Sequence, residues 1–319
     1  MNEVEKQGGV VGTEPKAAEN KAPNSDKSTI SVSRSMIRNV AILVVALVLM
    51  PFVATALDLY VFNWQNPTLR KIAFALPYPA VIVGGDRYSV SEYDQELSNL
   101  DRILKQNEKT ASHAELAKMF MDRVKRAAAV DSLVLEKKIN IDETVKMATS
   151  LTFGDKASDA DKEKSVKDNF NWTIDYFNKR VLYPYARDMA YGLDVLKPKA
   201  EELATLVKAP GADFAKIAKE KGEDASKDTG GDLGWFKAGQ MVPEFENVVF
   251  ALKKGEVAGP FASRFGWHVA KLVDERGEGE AKEYKVSHII ISVQGHEADI
   301  EPSITEAEKN IKASVLLKE

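Results

Sequence analysis

Residues 230–268 read GGDLGWFKAGQMVPEFENVVFALKKGEVAGPFASRFGWH. This run packs two glycine turns, an amphipathic helix and two short strands into one short stretch. Glycine punctuates it where the backbone must turn, and apolar residues recur between the turns at helix and strand spacings. Chance rarely reproduces so many residues at fixed spacings, although the terminal Phe265-Gly266-Trp267-His268 or the Gly239-Gln240-Met241 turn alone would mean little.

The features that carry a family likeness are Gly231-Asp232-Leu233-Gly234, Gly239-Gln240-Met241, Phe245, Phe250-Ala251-Leu252, Gly255-Glu256 and Phe265-Gly266-Trp267-His268. Together they resemble the C-terminal two-thirds of a parvulin peptidyl-prolyl isomerase. Upstream, residues 199–207 and 214–219 resemble that family's first helices. A parvulin begins with a strand of the form V-x-x-H-I-L-I before those helices. Here the preceding residues 183–196 contain no histidine and read as helix. A strand of that type follows instead, at residues 284–293 (YKVSHIIISV). It could open a truncated second parvulin or a module that binds elsewhere, or it could be the family's first strand moved to the C-terminus. Circular permutation is favoured. The resemblance makes the first and last strands antiparallel neighbours at the sheet centre, and the charged residues 274–283 are long enough to join them. Without that strand the central backbone groups would lack partners.

The same resemblance implies the site. His268 and His288 take the positions of the two parvulin histidines and are expected to meet, although a pair of satisfied core histidines would look the same in sequence. Asp224 falls where parvulins face the substrate amide with Asp or Cys, and a plain helix N-cap is the competing reading. Leu233, Met241 and Phe245 match the proline slot, with ordinary core as their alternative. Ser263 and Phe265 match the rim. No cofactor is implied, and two histidines without a third ligand at metal spacing do not suggest zinc. A basic loop for phosphoserine is not evident, since residues 294–299 are mildly acidic, so broad X–Pro specificity with apolar X is expected.

The remainder sets the context. The chain has 319 residues, a net charge of −4, no cysteine and four histidines. That length suits about two domains. Disulfides, Cys nucleophiles and thiolate metal sites are excluded. Nothing marks a clustered basic face for nucleic acid. Residues 1–35 are polar, lack aromatics and read as a disordered leader. Residues 36–63 contain the uncharged run 40–57, close to the ~20 residues of a membrane span. Arg34 and Arg38 precede it and Asp58 follows, which puts the N-terminus in the cytoplasm and the bulk outside. Tyr60 and Trp64 suit the far interface. A retained anchor is preferred to a signal peptide cleaved near Ala54-Thr55-Ala56, because of the long polar leader.

Residues 64–196 read as a helical domain. An apolar strand with a Gly-Gly turn at 77–86 leads to a helix capped by Ser91 with Asp94 at N3. Helices follow at 114–136, 141–152 and 162–193. The "strand, turn, Val-Ser-x-x-Tyr helix" opening resembles the N-terminal domains of SurA-like and PrsA-like foldases. Apolar stripes in these helices are either core or a cradle for unfolded chain. His113 reads as a surface or capping residue. Residues 296–319 are expected to form a C-terminal helix capped at Thr305.

The expected fold is therefore α+β: a transmembrane helix, an all-helical chaperone-like domain, and a permuted parvulin domain at 197–295 with a four-stranded antiparallel sheet. The expected function is membrane-anchored, extracytoplasmic isomerisation of X–Pro bonds in unfolded or newly exported polypeptides. The alternative is an inactive parvulin-like holdase or scaffold.

Overall fold

The computed structural model describes residues 34–62 and 66–317. Residues 1–33 of the expected leader and Trp64 lie outside that range. The leader's last two residues belong to helix α1 (Arg34–Leu57), which runs into a π-turn at Asp58–Phe62. Up to Val53 the chain is a unit of its own. From Ile42 to Val53 its large apolar side chains are exposed. One described helix is long and apolar enough to cross a membrane, at Ile42–Val61.

Local chemistry fixes the start of the helical arm. Asn66 Oδ1 accepts from Thr68 N and Leu69 N at 2.9 and 3.2 Å, and Pro67 opens α2 (Pro67–Ala75) at the position where its missing N–H is harmless. Strands β1 (Pro79–Val83) and β2 (Asp86–Ser89) form a hairpin around Gly84 and Gly85, both at positive φ. Helix α3 (Val90–Gln106) is capped by Ser89, not Ser91 as the sequence pattern suggested. The strand runs to Ser89, and Glu92 reaches back to the Ser89 N–H at 2.7 Å. The box therefore closes two residues earlier than expected. Ser112 and Glu115 close a second box on α4 (His113–Lys137), so His113 is the first helical residue and Ser112 is the cap.

Helices α5 (Asp142–Phe153) and α6 (Asp159–Phe170) follow. The single helix expected over 162–193 is broken. Asn171 sits in the left-handed region at φ 57° and ends α6; Thr173 then caps α7 (Ile174–Phe177), accepting from Tyr176 N at 3.2 Å. After a π-turn, α8 (Tyr183–Lys208) continues through Pro198. The separate helix expected at 199–207 is its second half. Helix α8 thus crosses the expected boundary at 196/197. Its first half packs Tyr191 into the arm, and its second half buries Leu196, Ala200, Leu203 and Val207 beneath a four-stranded sheet.

That sheet is ordered β3-β6-β5-β4 and is antiparallel throughout. Its strands are β3 (Asp232–Phe236), β4 (Val257–Ser263), β5 (Gly266–Arg276) and β6 (Glu283–Ser292). The strand that follows the 277–282 loop, β6, lies at the centre of the sheet, between β3 and β5. Alternation divides its residues. Ile289 and Ile291, with Val269, face α8 and α9 (Phe214–Lys221); Val286, with Ala270 and Leu272, faces Phe245 and Val249 of α10 (Pro243–Val249).

The chain then returns to the arm. Helix α11 (Glu297–Asn310) buries Ile300 and Ile304 against Ala129, Val130, Val134 and Tyr191. Arg126 ties it with Nη1 2.6 Å from Glu301 and Nη2 3.0 Å from Asp188. The expected terminal helix stops at Asn310, and Thr305 is interior to it rather than its cap. Strand β7 (Ala313–Val315) pairs with β1, giving a second sheet ordered β2-β1-β7. The arm is thus helical with a small sheet, and the segments on both sides of the four-stranded sheet contribute to it.

Two outcomes are expected. Ile304→Ala should destabilise the arm by about 2–5 kcal/mol, since a fully buried side chain is truncated; urea unfolding reads this, and an unchanged midpoint would refute the docking of α11. A chain ending at residue 276 should lose cooperative melting of the four-stranded sheet, because removing β6 leaves buried backbone groups unpaired at about 1–3 kcal/mol each. A truncated form that melts cooperatively at the wild-type temperature would overturn the central place of β6.

Candidate active site

His268 on β5 and His288 on β6 are 3% and 7% exposed, and their Nδ1 atoms lie 3.3 Å apart. Both side chains project from the same sheet face. Ala270 pairs with His288 and His268 with Ile290, so the rings meet diagonally across two central strands. Gly231 holds β6 at this point: its carbonyl accepts from His288 N at 2.8 Å. At φ +81°, a Cβ on Gly231 would collide with the His288 carbonyl, so only glycine permits the approach.

The ring nitrogens continue outward. His288 Nε2 is 3.0 Å from Asp224 Oδ2, whose other oxygen accepts from Ser226 Oγ at 2.7 Å. His268 Nε2 is 2.7 Å from Ser263 Oγ, which accepts from Phe265 N at 3.1 Å. One proton arrangement satisfies every member. Ser263 donates to His268, His268 to His288, and His288 to an ionised Asp224. Both rings are then neutral. Burial, then the neighbouring His288, pushes His268 down to about 3. Burial also lowers His288, against the opposing pull of Asp224. Burial alone would raise Asp224, but its hydrogen bonds from Ser226 and His288 outweigh that and hold it low.

Above this floor opens a groove of about 790 Å³. Leu233, Met241, Phe245 and Ile290 make its apolar walls, with Phe265 at the mouth. Phe245 is buried and stands edge-on to both imidazoles, its ring centroid 5.4 Å from His268 and 5.7 Å from His288. Met241 is presented by a clamped turn: Gly239 N and Met241 N both donate to the Glu246 carboxylate, at 2.8 and 2.9 Å. Phe265 is 52% exposed. Asp224 starts the 3-10 turn Ala225–Thr229 but makes no side-chain cap bond to it; its carboxylate is used on His288 and Ser226.

One expected position is corrected. Ser263 is fully buried and lies under His268, not on the rim, because it alternates inward at the end of β4. Sequence reasoning also missed several residues. Phe261 stacks on His268 at 5.5 Å, and strand alternation from Ser263 could have found it. Ile290 follows from the same alternation after His288. Glu223, Arg264 and Asp155 line the groove as well. Asp155 comes from the α5–α6 loop of the arm, and no local signal connects it to the site. The two parts also join through Trp267, whose Nε1 donates to Leu193 O at 2.8 Å and whose ring packs with Met147 and Met189.

The fold and this site define a parvulin-type peptidyl-prolyl isomerase domain. The PPIC-type PPIASE domain family matches residues 181–276. The match supplies β3, β4 and β5; β6 comes from beyond it. Parts of the chain are similar to curated chaperones and foldases. It is 47% identical over 75 residues to the chaperone SurA of Nitrosospira multiformis, covering 24% of this chain and 17% of that protein. It is 38% identical over 126 residues to the foldase protein PrsA of Geobacillus kaustophilus, covering 38% of this chain and 44% of that one. The chain thus matches less than half the length of these curated relatives. The solved structure of the peptidylprolyl isomerase PrsA from Bacillus anthracis covers 57% of this chain and 85% of its own at 19% identity, with a TM-score of 0.17.

The neutral histidines set a pH dependence. In the unfolded chain His268 protonates near its ordinary 6.5, in the folded chain near 3. Between those values the unfolded state binds more protons, so stability falls as pH drops through that window. Urea unfolding at pH 7 and pH 4 should show a loss on the order of a few kcal/mol, smaller in His268→Gln. An equal loss in that variant would assign the effect to other groups.

Proposed function

We propose that this protein is a membrane-anchored, extracytoplasmic peptidyl-prolyl cis-trans isomerase that assists the folding of exported polypeptides. One observation carries the reading. An apolar groove of the right size for a prolyl segment sits directly on the Asp224–His288–His268–Ser263 network.

The reaction breaks no covalent bond. It rotates a partial double bond across ~18–20 kcal/mol. A catalyst must hold the proline ring and favour the twisted amide over both planar forms. Leu233, Met241 and Phe245 form the slot for the ring, with Phe265 over its mouth. Asp224, at the groove edge, faces the amide. The buried histidines fix Asp224 as an ionised acceptor and supply a floor that needs no rearrangement during rotation. Ser263 and Phe261 act through His268 and are positioning residues. Arg264 is the one Lys or Arg among the described groove-lining residues. That composition disfavours phosphoserine before proline and supports broad use of apolar X.

The exposed apolar face of Ile42–Val53 supports an anchor, and the flanking Arg34 and Arg38 support a cytoplasmic N-terminus. The arm supplies the second activity. Its cavity of about 390 Å³ has apolar walls from Leu59, Phe74, Val90, Leu97, Val315 and Leu317 with Asp58, Arg70, Asp94 and His113 among them, chemistry suited to an unfolded segment of mixed polarity. This cavity also favours the alternative, a holdase whose isomerase head is inactive.

A protease-coupled assay on Ala–Pro and Leu–Pro peptides separates the two. The wild-type chain should accelerate isomerisation. Asp224→Asn should lower kcat at least tenfold with an unchanged melting temperature, about 1.4 kcal/mol of transition-state stabilisation. Met241→Ala should raise KM with little change in stability. Absence of acceleration, with peptide binding retained, would leave the holdase reading.

A further inference from the structure

Glu223 and Asp224 are consecutive, and their carboxylates are pinned at two points along β6. Asp224 Oδ2 meets His288 Nε2 at 3.0 Å, and Ser292 N donates to Glu223 Oε2 at 2.7 Å. His288, Ile290 and Ser292 share one face of the strand. The two carboxylates therefore straddle Ile290, a wall of the groove. The second oxygen of Glu223, Oε1, lies 2.9 Å from His296 Nε2. The opposite ring nitrogen, Nδ1, lies 2.7 Å from Asp299 Oδ2. His296 immediately precedes α11, and Asp299 is in its first turn. Lys199 of α8 completes the cluster, 2.7 Å from Asp299 Oδ2 and 3.3 Å from His296 Nδ1. A line of contacts thus runs from the Asp224 segment through Glu223 and His296 to the helix that docks on α4.

We propose that Glu223 and His296 form a positioning clamp that holds Asp224 on His288 and couples the isomerase floor to the seating of α11 on the arm. The proposal rests on the reading that Asp224 faces the substrate amide.

Charge on His296 governs how well the clamp closes. A neutral imidazole has one N–H, so it can donate to one carboxylate only and turns a lone pair toward the other. The imidazolium donates to both. The groups that face it are Glu223 from the α9–β3 segment, Asp299 and Glu297 from α11, and Lys199 from α8. Burial and Lys199 oppose the charge, but the hydrogen bonds to Asp299 and Glu223 prevail and raise the group above its ordinary value. The clamp is therefore complete below that raised value and loosens as pH rises through it. With Lys199 capping Nδ1, the neutral ring loses its bond to Asp299 and keeps only a weaker, uncharged Nε2–H donation to Glu223, so the segment is loosened, not released.

The test uses the full chain with two readouts between pH 5 and 8.5. These are kcat/KM on an Ala–Pro peptide and the titration of the His288 ring, followed by NMR. Wild-type kcat/KM should fall about threefold between pH 6 and 8.5, the scale of a partly exposed ion pair. His296→Asn and Glu223→Gln should show that loss already at pH 6. His288 should titrate lower in both, since a loosened Asp224 no longer supports its protonation. His296→Arg, a permanently charged fork, should keep the low-pH value up to pH 8.5. Unchanged His288 titration in both His296→Asn and Glu223→Gln at pH 6 would overturn the clamp. So would a drop in kcat/KM without that shift. Should Glu223→Gln or His296→Asn unfold, His296→Arg decides: a retained high-pH decline refutes the proposal. A wild-type chain that turns over no X–Pro peptide would refute the isomerase reading, and the His288 titration would still decide the clamp.

Discussion

The central seat of β6 is the constraint on which the rest of the isomerase depends. Both of its edges are hydrogen-bonded, one to β3 and one to β5, and both of its faces are buried from His288 to Ile291. A strand in that position cannot be omitted without stranding backbone donors and acceptors on two neighbours. It cannot slip by one residue either, because every second side chain would change face. His288 would then point at α9 and Ile289 into the groove. One strand fixes the sheet, the register and half of the histidine pair together.

The site follows from that register. Two imidazoles brought together in an apolar interior cannot both carry charge, since desolvation and mutual repulsion both oppose it. Neutral rings must still satisfy four nitrogens. Ser263 at one end and Asp224 at the other provide the partners, and the network acquires a direction ending in an ionised carboxylate at the groove edge. The same burial that threatens the histidines makes the floor rigid. Phe245 and Phe261 close the apolar shell around them.

The arm and the isomerase are built as one piece. Helix α8 serves both cores, Trp267 reaches from β5 to α8, and α11 with β7 returns the chain to the arm after the isomerase is complete. An insert whose two ends are anchored in one body has its termini held close together.

Signals carried by neighbouring residues were legible in the sequence. The Gly84-Gly85 hairpin, the apolar helix, the 239–241 turn and the spacing from Gly231 to His268 rest on backbone preferences within a few positions. The pairing of His268 with His288 was also legible, but only through the family resemblance, since twenty residues separate them. Competition between local signals was not legible. Ser89 and Ser91 are both serviceable caps, and the hairpin register chose the first. Asn171 and Pro198 are both helix breakers by type, yet the chain breaks at Asn171 and passes through Pro198, whose helix is held by the core beneath it. Tertiary structure alone decided the rest: the depth of Ser263, the β1–β7 pairing, the arrival of Asp155 at the groove and the Glu223–His296 contact. Each joins residues far apart in the chain, and composition and periodicity record what a residue prefers, not which distant surface the fold will set against it.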